Sequence, residues 1–192
     1  MAIDTAGNTD RSVYAHNRFE DVNGKCIDLD GFHHGEVRSN TCINRRPRQE
    51  YPHGHFGIVM NNANPDMQSE EITVAGNHIE GALYGGIFVI GSRHRIVGNR
   101  LLDLNKARCA PGKPGCVYWP DEPELLSSGI YLGRRAERPA MTRNNVIENN
   151  EISGFGMGPG CIRAAPGVAL RDNKIQGNRC QEAPDPFGAT VK

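Results

Sequence analysis

The sequence predicts an all-β solenoid of about six stacked coils, each built from three short strands. Within residues 72–104 the pattern Val74-Ala-Gly-Asn-His-Ile79 returns as Ile96-Val-Gly-Asn-Arg-Leu101, an offset of 22 residues. A period of about 20–25 residues made of short alternating strands is typical of stacked coils rather than of a globular sheet. Composition agrees, because 38% apolar and 6% aromatic residues are few for a globular core, whereas 23 glycines suit many tight corners.

One asparagine marks each coil. Three spacings between successive anchors are 23, 22 and 23 residues, and the other two, 37 and 51, equal one coil plus an insertion. The anchors are Asn17, Asn40, Asn77, Asn99, Asn150 and Asn173. An inward asparagine at a corner can hydrogen-bond backbone above and below it, so we predict an asparagine ladder. A β-sandwich with asparagine-rich turns is the alternative, but it offers no reason for the regular period.

Apolar columns define the three strands of each coil. Because alternate side chains of a strand point to opposite faces, these columns are expected to face inward. The first column is Tyr14, Val37, Val74, Ile96, Ile147 and Leu170. The second is Phe19, Cys42, Ile79, Leu101, Ile152 and Ile175. The third is Ile27, Ile58, Ile87, Ile130 and Ile162, followed two residues later by Leu29, Met60, Val89, Leu132 and Ala164.

This pattern, over residues 12–179, resembles the right-handed parallel β-helix proteins of the pectate-lyase-like superfamily. The resemblance implies a right-handed parallel β-helix over residues 1–180, with a C-terminal tail at 181–192. Many members of the superfamily are polysaccharide lyases, glycoside hydrolases or sugar epimerases, and others are binding or structural rods. A helix usually covers their N-terminal end. Its absence here predicts a piece of a longer protein, or an end that pairs with a partner or another copy.

Two long loops, at residues 44–56 and 103–128, flank the third strands. Long loops on one face of a repeat rod commonly carry function, so we expect the site on the outer face of the third strands. Its outward positions along the rod are Asp28, Asp30, Val59, Asn61, Phe88, Ile90, Tyr131 and Arg163. The outward positions of the second strands are mostly charged and predict a solvated surface.

A group of acids and histidines lies at one end of this face. Asp28 and Asp30 point to the same side of a strand, about 7 Å apart. A carboxylate pair with histidines suits proton transfer at a sugar ring, and this spacing suits an inverting hydrolase. The predicted catalytic residues are Asp28, Asp30, His33, His53 and His55. The alternative is a polar strand end beside a solvated histidine-rich loop without function.

Cationic, amide and aromatic side chains complete the predicted site. Aromatic rings can stack on the apolar faces of sugars, and the alternative role for Trp119 is to pin its own loop to the rod. The predicted substrate-binding residues are Arg45, Arg48, Asn61, Phe88, Trp119, Tyr131 and Arg163. Together these residues predict a polysaccharide hydrolase or lyase. A non-catalytic carbohydrate-binding module and a structural rod are the alternatives.

The resemblance implies at most one cofactor. Lyases of the superfamily use arginine or lysine as base, often with calcium held by carboxylates. The resemblance therefore implies calcium at Asp28 and Asp30 as one option. The candidate bases are Lys25, Arg45, Arg46 and Arg48. The histidine spacing fits no familiar zinc pattern, and no metal ligand is assigned. The segment from Gly54 to Gly57 is similar to the Gly-His-Gly element of polygalacturonase-type hydrolases, but their Asp-Asp pair and Arg-x-Lys clamp are missing.

The six cysteines bear on location. Pairs Cys109–Cys116 and Cys161–Cys180 are predicted disulfides, Cys42 is predicted to be a buried thiol, and Cys26 is left open. Two bridges favour an extracytoplasmic or secreted protein whose leader is missing from the chain. Zero net charge and the lack of a long apolar run argue against nucleic-acid or membrane partners, leaving a polysaccharide or oligosaccharide as the expected partner.

Overall fold

Short strands account for nearly all regular structure in the computed structural model, which describes residues 1–50, 55–61, 69–134 and 141–183, apart from the side chain of Arg48. In chain order the strands are β1 (Ile3–Thr5), β2 (Thr9–Asp10), β3 (Val13–Ala15), β4 (Arg18–Glu20), β5 (Gly24–Asp30), β6 (Phe32–His33), β7 (Glu36–Arg38), β8 (Thr41–Ile43), β9 (His55–Asn61), β10 (Thr73–Ala75), β11 (His78–Glu80), β12 (Ile87–Val89), β13 (Arg95–Val97), β14 (Arg100–Leu104), β15 (Ile130–Leu132), β16 (Val146–Glu148), β17 (Glu151–Gly154), β18 (Ile162–Ala164), β19 (Lys174–Gln176) and β20 (Arg179–Glu182). Three single-turn 3-10 helices span Arg48–Glu50, Leu125–Ser127 and Leu170–Asp172. Within the described ranges, no helix has the length and apolar character needed to cross a bilayer.

The strands form three parallel sheets of six, which confirms the predicted all-β parallel β-helix of about six coils. The first sheet is β3-β7-β10-β13-β16-β19, the second is β4-β8-β11-β14-β17-β20, and the third is β1-β5-β9-β12-β15-β18. A small extra sheet pairs β2 with β6. Strand β1 was not predicted, and it adds a third-sheet strand ahead of the first repeat. Residues 184–192, most of the predicted tail, lie outside the described residues.

Four central members of the third column, Ile27, Ile58, Ile87 and Ile130, are fully buried and align in register. The central residues of the first and second columns are buried in the same way. Ile162, near one end of the rod, is only partly buried, because fewer coils cover it. The interior is thus a stack of aliphatic layers.

An asparagine ladder runs along the corner between the first and second sheets, as predicted. The backbone N–H and the side-chain amide of Asn77 both donate to Asn99 Oδ1, each at 3.0 Å. Asn99 donates in the same way to Asn150 Oδ1, both at 2.9 Å. The amide of Asn99 also donates to the carbonyl of Val74 at 3.0 Å. Each buried asparagine therefore satisfies backbone groups of the coils on both sides.

The predicted register of the sixth coil is wrong. Asn150 donates to Asn178 Oδ1, not to Asn173, so the last anchor is 28 residues on instead of 23. Ile175 consequently lies in the first sheet, and Cys180 takes the inward second-sheet position. The 3-10 turn at Leu170–Asp172 belongs to the segment that lengthens this coil. Asn173 therefore lies at the usual spacing from Asn150 without being a member of this ladder.

A second ladder, five residues before the first, contains a buried histidine. The N–H of His94 donates to Asn145 Oδ1 at 2.8 Å, and Asn145 donates to Asn173 Oδ1 at 2.9 and 3.1 Å. His94 Nδ1 accepts the N–H of Ile72 at 3.1 Å, so the ring donates through Nε2 to the carbonyl of Ile90 at 2.8 Å. Complete burial lowers the pKa of His94 to about 4, and the ring is neutral.

We predict that His94→Asn makes the fold less sensitive to acid, since asparagine already fills the equivalent position in the next two coils. Between pH 6.5 and about 4 the unfolded chain protonates this histidine but the folded chain does not, so stability falls as pH is lowered through that window. The variant should lose stability less steeply than the parent, by about 1.4 kcal/mol per pH unit. Urea unfolding at several pH values measures this slope. His16→Asn, at an exposed position, is the control, and equal slopes for parent and His94→Asn would contradict the prediction.

All six cysteines form disulfides: Cys26–Cys42, Cys109–Cys116 and Cys161–Cys180. The last two pairs were predicted, but the prediction that Cys42 is a free buried thiol is wrong. Cys26 is buried immediately before the inward Ile27 of β5, and Cys42 lies in the inward second-sheet column of the next coil. Their disulfide therefore crosses the corner between the two sheets. Three disulfides are compatible with an extracellular protein.

Two of the disulfides, Cys26–Cys42 and Cys161–Cys180, link a third-sheet strand to the second sheet of the next coil, and we call them the corner disulfides. In the coils between them, glycine replaces the third-sheet cysteine. Gly57, Gly86 and Gly129 each precede the inward isoleucine, as Cys26 and Cys161 do. A Cβ atom on Gly57 would lie 2.2 Å from the carbonyl oxygen of Gly86 and 2.6 Å from Ile79 Cδ1. At this corner of the rod, each coil therefore has either a disulfide or a glycine that faces an aliphatic side chain.

Candidate functional site

The outer face of the third sheet carries a partly buried ion pair near the N-terminal end. Asp28 in β5 is only 4% exposed, and its carboxylate pairs with the ammonium group of Lys25. Burial raises the pKa of Asp28, while Lys25 acts in the opposite direction. Asp4 of β1 lies beside Asp28 in register, and its negative charge also raises that pKa. Among the described residues, Asp28 Oδ1 has no hydrogen-bond partner.

Asp30 lies on the same face two residues further on, at the end of β5. It is partly exposed and pairs in register with Asn61 of β9. Gly31 follows in the left-handed region, with φ of 65°, and its N–H donates to the carbonyl of Asn61 at 2.9 Å. The structure therefore places Asp28, Asp30 and Asn61 side by side on this face, as strand alternation predicts. It also brings Lys25, a candidate base, against Asp28, and it adds Asp4, which the sequence pattern did not single out.

The predicted histidines do not all join these carboxylates. His55 pairs with Gly24, four residues before Asp28, which places it about 13 Å away along the strand. Its Nδ1 accepts the N–H of Leu83 at 2.8 Å and lies 3.2 Å from Asn44 Nδ2. Burial lowers the pKa of His55 to about 4, so the ring is a neutral acceptor that supports the corner. The convergence predicted for His55 with the carboxylates is therefore not found.

His53 lies outside the described residues, in the gap at 51–54. His33 is described, and its ring nitrogens face Asn8, Asp10 and His34 at the turn after the carboxylates. The small β2–β6 sheet sets Asp10 opposite His33. The sequence pattern had not included Asp10 in any site.

The aromatic row of the predicted binding surface is buried. Phe88 and Tyr131 stack with ring centroids 6.1 Å apart, and Tyr131 is 0% exposed. Glu122, from the 103–128 loop, is buried with its carboxyl group beside the Tyr131 hydroxyl. Burial raises the pKa of both groups. Phe88 and Tyr131 therefore support the loop and offer no surface to a sugar, which corrects that part of the prediction.

Arg163 holds the same loop to the rod. Its guanidinium donates to the Ser127 carbonyl and hydroxyl, at 3.3 and 3.1 Å, and to the carbonyl of Gly156 at 2.8 Å. Trp119 is partly buried and packs against the core, whereas neighbouring Tyr118 is 66% exposed. The exposed aromatic surface of the loop is thus the Tyr118 ring, which stands edge-on to Trp119 with centroids 5.0 Å apart.

The described arginines of the 44–56 loop contact the acidic residues Glu20 and Asp21. Arg45 is exposed, its guanidinium is 3.7 Å from Glu20 of the second sheet, and its N–H donates to Asp21 at 2.9 Å. Arg46 pairs with Asp21 at 3.2 Å. The side chain of Arg48 is outside the described part of the chain. Among the candidate bases whose side chains are described, Lys25 is the one that contacts Asp28.

Comparison with known proteins yields no relative: no protein-family model, no curated protein and no solved structure matches the chain.

Proposed function

We propose that the protein is a carbohydrate-active β-helix protein related to the pectate-lyase-like superfamily, and that it cleaves an extracytoplasmic polysaccharide as a hydrolase or lyase. The observation that carries this proposal is the group Lys25, Asp28 and Asp30 on the outer face of the third sheet. The 103–128 loop covers the aromatic part of that face, so the N-terminal coils are where a glycan would bind. The three disulfides support an extracytoplasmic location.

The two carboxyl groups differ in the way that acid–base cleavage requires. Burial favours the protonated form of Asp28, so this group is suited to protonate a departing glycosidic oxygen. Asp30 is more exposed and about 7 Å away, a spacing that leaves room for a water molecule between carboxylate and sugar. In a lyase, Lys25 would instead stand near the proton to be abstracted. The ammonium of Lys25 already lies against the Asp28 carboxyl group, and its positive charge makes calcium less suited to this position.

A panel of polysaccharides distinguishes the reactions. New reducing ends without absorbance from unsaturated uronate indicate a hydrolase, and both signals together indicate a lyase. Retention on a polysaccharide gel without cleavage favours the second candidate, a binding module, for which exposed Tyr118 beside Trp119 is the supporting observation.

With a substrate in hand, we predict that Asp30→Asn lowers turnover by about two orders of magnitude or more while the melting temperature stays close to that of the parent. The reason is that asparagine keeps the shape of the side chain but neither accepts nor delivers the proton. Glu151→Gln, on the outer face of the second sheet, is the matched control and should retain activity. An Asp30→Asn protein with full activity would refute the catalytic assignment.

A further inference from the structure

We propose that Asp10, His33 and His34 form a binding site for zinc or another divalent first-row transition-metal ion. Among the described residues these form the only group of three acidic, histidine or cysteine side chains whose ligand atoms all lie within 4.8 Å of one another. The site lies at a corner of the first two coils and is separate from the Lys25–Asp28 pair used above.

The three ligand atoms form a compact triangle. His33 Nδ1 and His34 Nδ1 are 2.8 Å apart, and Asp10 Oδ1 is 3.1 Å from the first and 3.2 Å from the second. Three ligands bound about 2.1 Å from one ion at right angles lie about 3.0 Å from one another, so the triangle has the size of one face of a coordination octahedron. Two imidazole nitrogens and one carboxylate suit zinc, iron, manganese or cobalt, whereas calcium and magnesium prefer oxygen.

The far side of each imidazole ring has its own acceptor. His33 Nε2 contacts Asn8 Oδ1, and His34 Nε2 faces Glu70 Oε1 at 3.7 Å and Glu71 Oε2 at 3.8 Å. A proton on Nε2 would suit these neighbouring oxygens and would leave Nδ1 of each ring available to bind an ion.

The backbone fixes the ligands before any ion binds. Parallel pairing of β2 with β6 places Asp10 opposite His33, and the N–H of Arg11 donates to the carbonyl of His33 at 3.2 Å. His34 has φ of 52°, and its N–H donates to the carbonyl of Glu70 in the following coil at 3.0 Å. The left-handed backbone at His34 turns two consecutive side chains toward one point. All three ligand side chains are partly exposed, at 17%, 33% and 40% for His33, His34 and Asp10, so solvent can reach the ion.

Metal titration of the chelator-stripped chain, prepared without a polyhistidine tag, tests the proposal. We expect one equivalent of Zn²⁺ or Co²⁺ per chain by calorimetry and dialysis, a visible Co²⁺ spectrum, and no saturable binding of Ca²⁺ at the same concentrations. His33→Ala and His34→Ala should each weaken binding by about 100-fold or more, and Asn8→Ala, which removes only an outer partner, by about 10-fold.

The controls are His16→Ala and His78→Ala, which remove histidines outside the group and should bind like the parent. Asp10→Asn provides a ligand change that leaves the imidazole packing intact, and circular dichroism confirms that each variant is folded. The proposal fails if the folded parent binds no Zn²⁺ or Co²⁺. It also fails if the ligand variants bind as tightly as the controls, or if Ca²⁺ binds as well as Zn²⁺.

Discussion

Replacing Asn99 by alanine is expected to lower the free energy of unfolding by about 4 kcal/mol, a large part of the stability of an ordinary domain. Asn99 is fully buried in the middle of the first ladder. Its Oδ1 accepts two hydrogen bonds from Asn77, and its amide donates to Val74 and Asn150. Alanine leaves several of these buried groups without partners, and each such group costs about 1–3 kcal/mol. Urea unfolding followed by circular dichroism measures the change.

The matched control is Asn17→Ala at the end of the same ladder. Asn17 donates to Asn40 Oδ1 at 3.0 and 3.1 Å but is only partly buried, so solvent can replace what alanine removes. Its cost should be about 1 kcal/mol. Equal losses at Asn17 and Asn99 would show that the continuity of the ladder does not determine the stability of the rod.

Gly57→Ala is expected to destabilise the fold by about 3–5 kcal/mol or to prevent folding. The new methyl carbon would lie 2.2 Å from the carbonyl oxygen of Gly86, and that oxygen accepts the N–H of Ile58 at 2.9 Å. Relief of the overlap must therefore separate two coils or break a ladder hydrogen bond. Yield of soluble protein, melting temperature and urea midpoint are the measurements.

Gly160→Ala is the control for Gly57→Ala, because a Cβ at residue 160 meets no atom within 4 Å. Its backbone lies outside the left-handed region, so alanine introduces no conformational strain there. The control should match the parent in stability. A Gly57→Ala protein as stable as Gly160→Ala would mean that neighbouring coils can separate at this corner at little cost.

The fold was predictable from the sequence because every coil repeats the same physical problem. Each coil must place aliphatic residues inward and must provide hydrogen-bond partners for the buried backbone groups at its corner. The ladder asparagine provides these partners through hydrogen bonds to the coils on both sides. The sixth coil was misaligned because Asn173 lies at the usual spacing while the chain needs five more residues to reach Asn178. Spacing alone could not show that Asn173 serves the second ladder, which also contains His94.

The candidate sites were predictable only where strand alternation decides the outcome. Asp28 and Asp30 share a face because alternate residues of a strand do so. Burial of Tyr131 depends instead on how the irregular 103–128 loop folds back, which no periodic pattern encodes. Asp10 was missed because its proximity to His33 arises from the separate β2–β6 pairing, between residues 23 positions apart.

The two corner disulfides have a consequence for how the rod comes apart. In a linear stack, an end coil has a neighbour on one side alone, so unravelling should begin there and travel inward. Cys26–Cys42 ties the second coil to the strand that precedes it, and Cys161–Cys180 ties the sixth coil to the fifth. Each bridge therefore resists covalently the separation of neighbouring coils at one end of the described stack, and this part of the rod is expected to open as a single cooperative unit rather than one coil at a time.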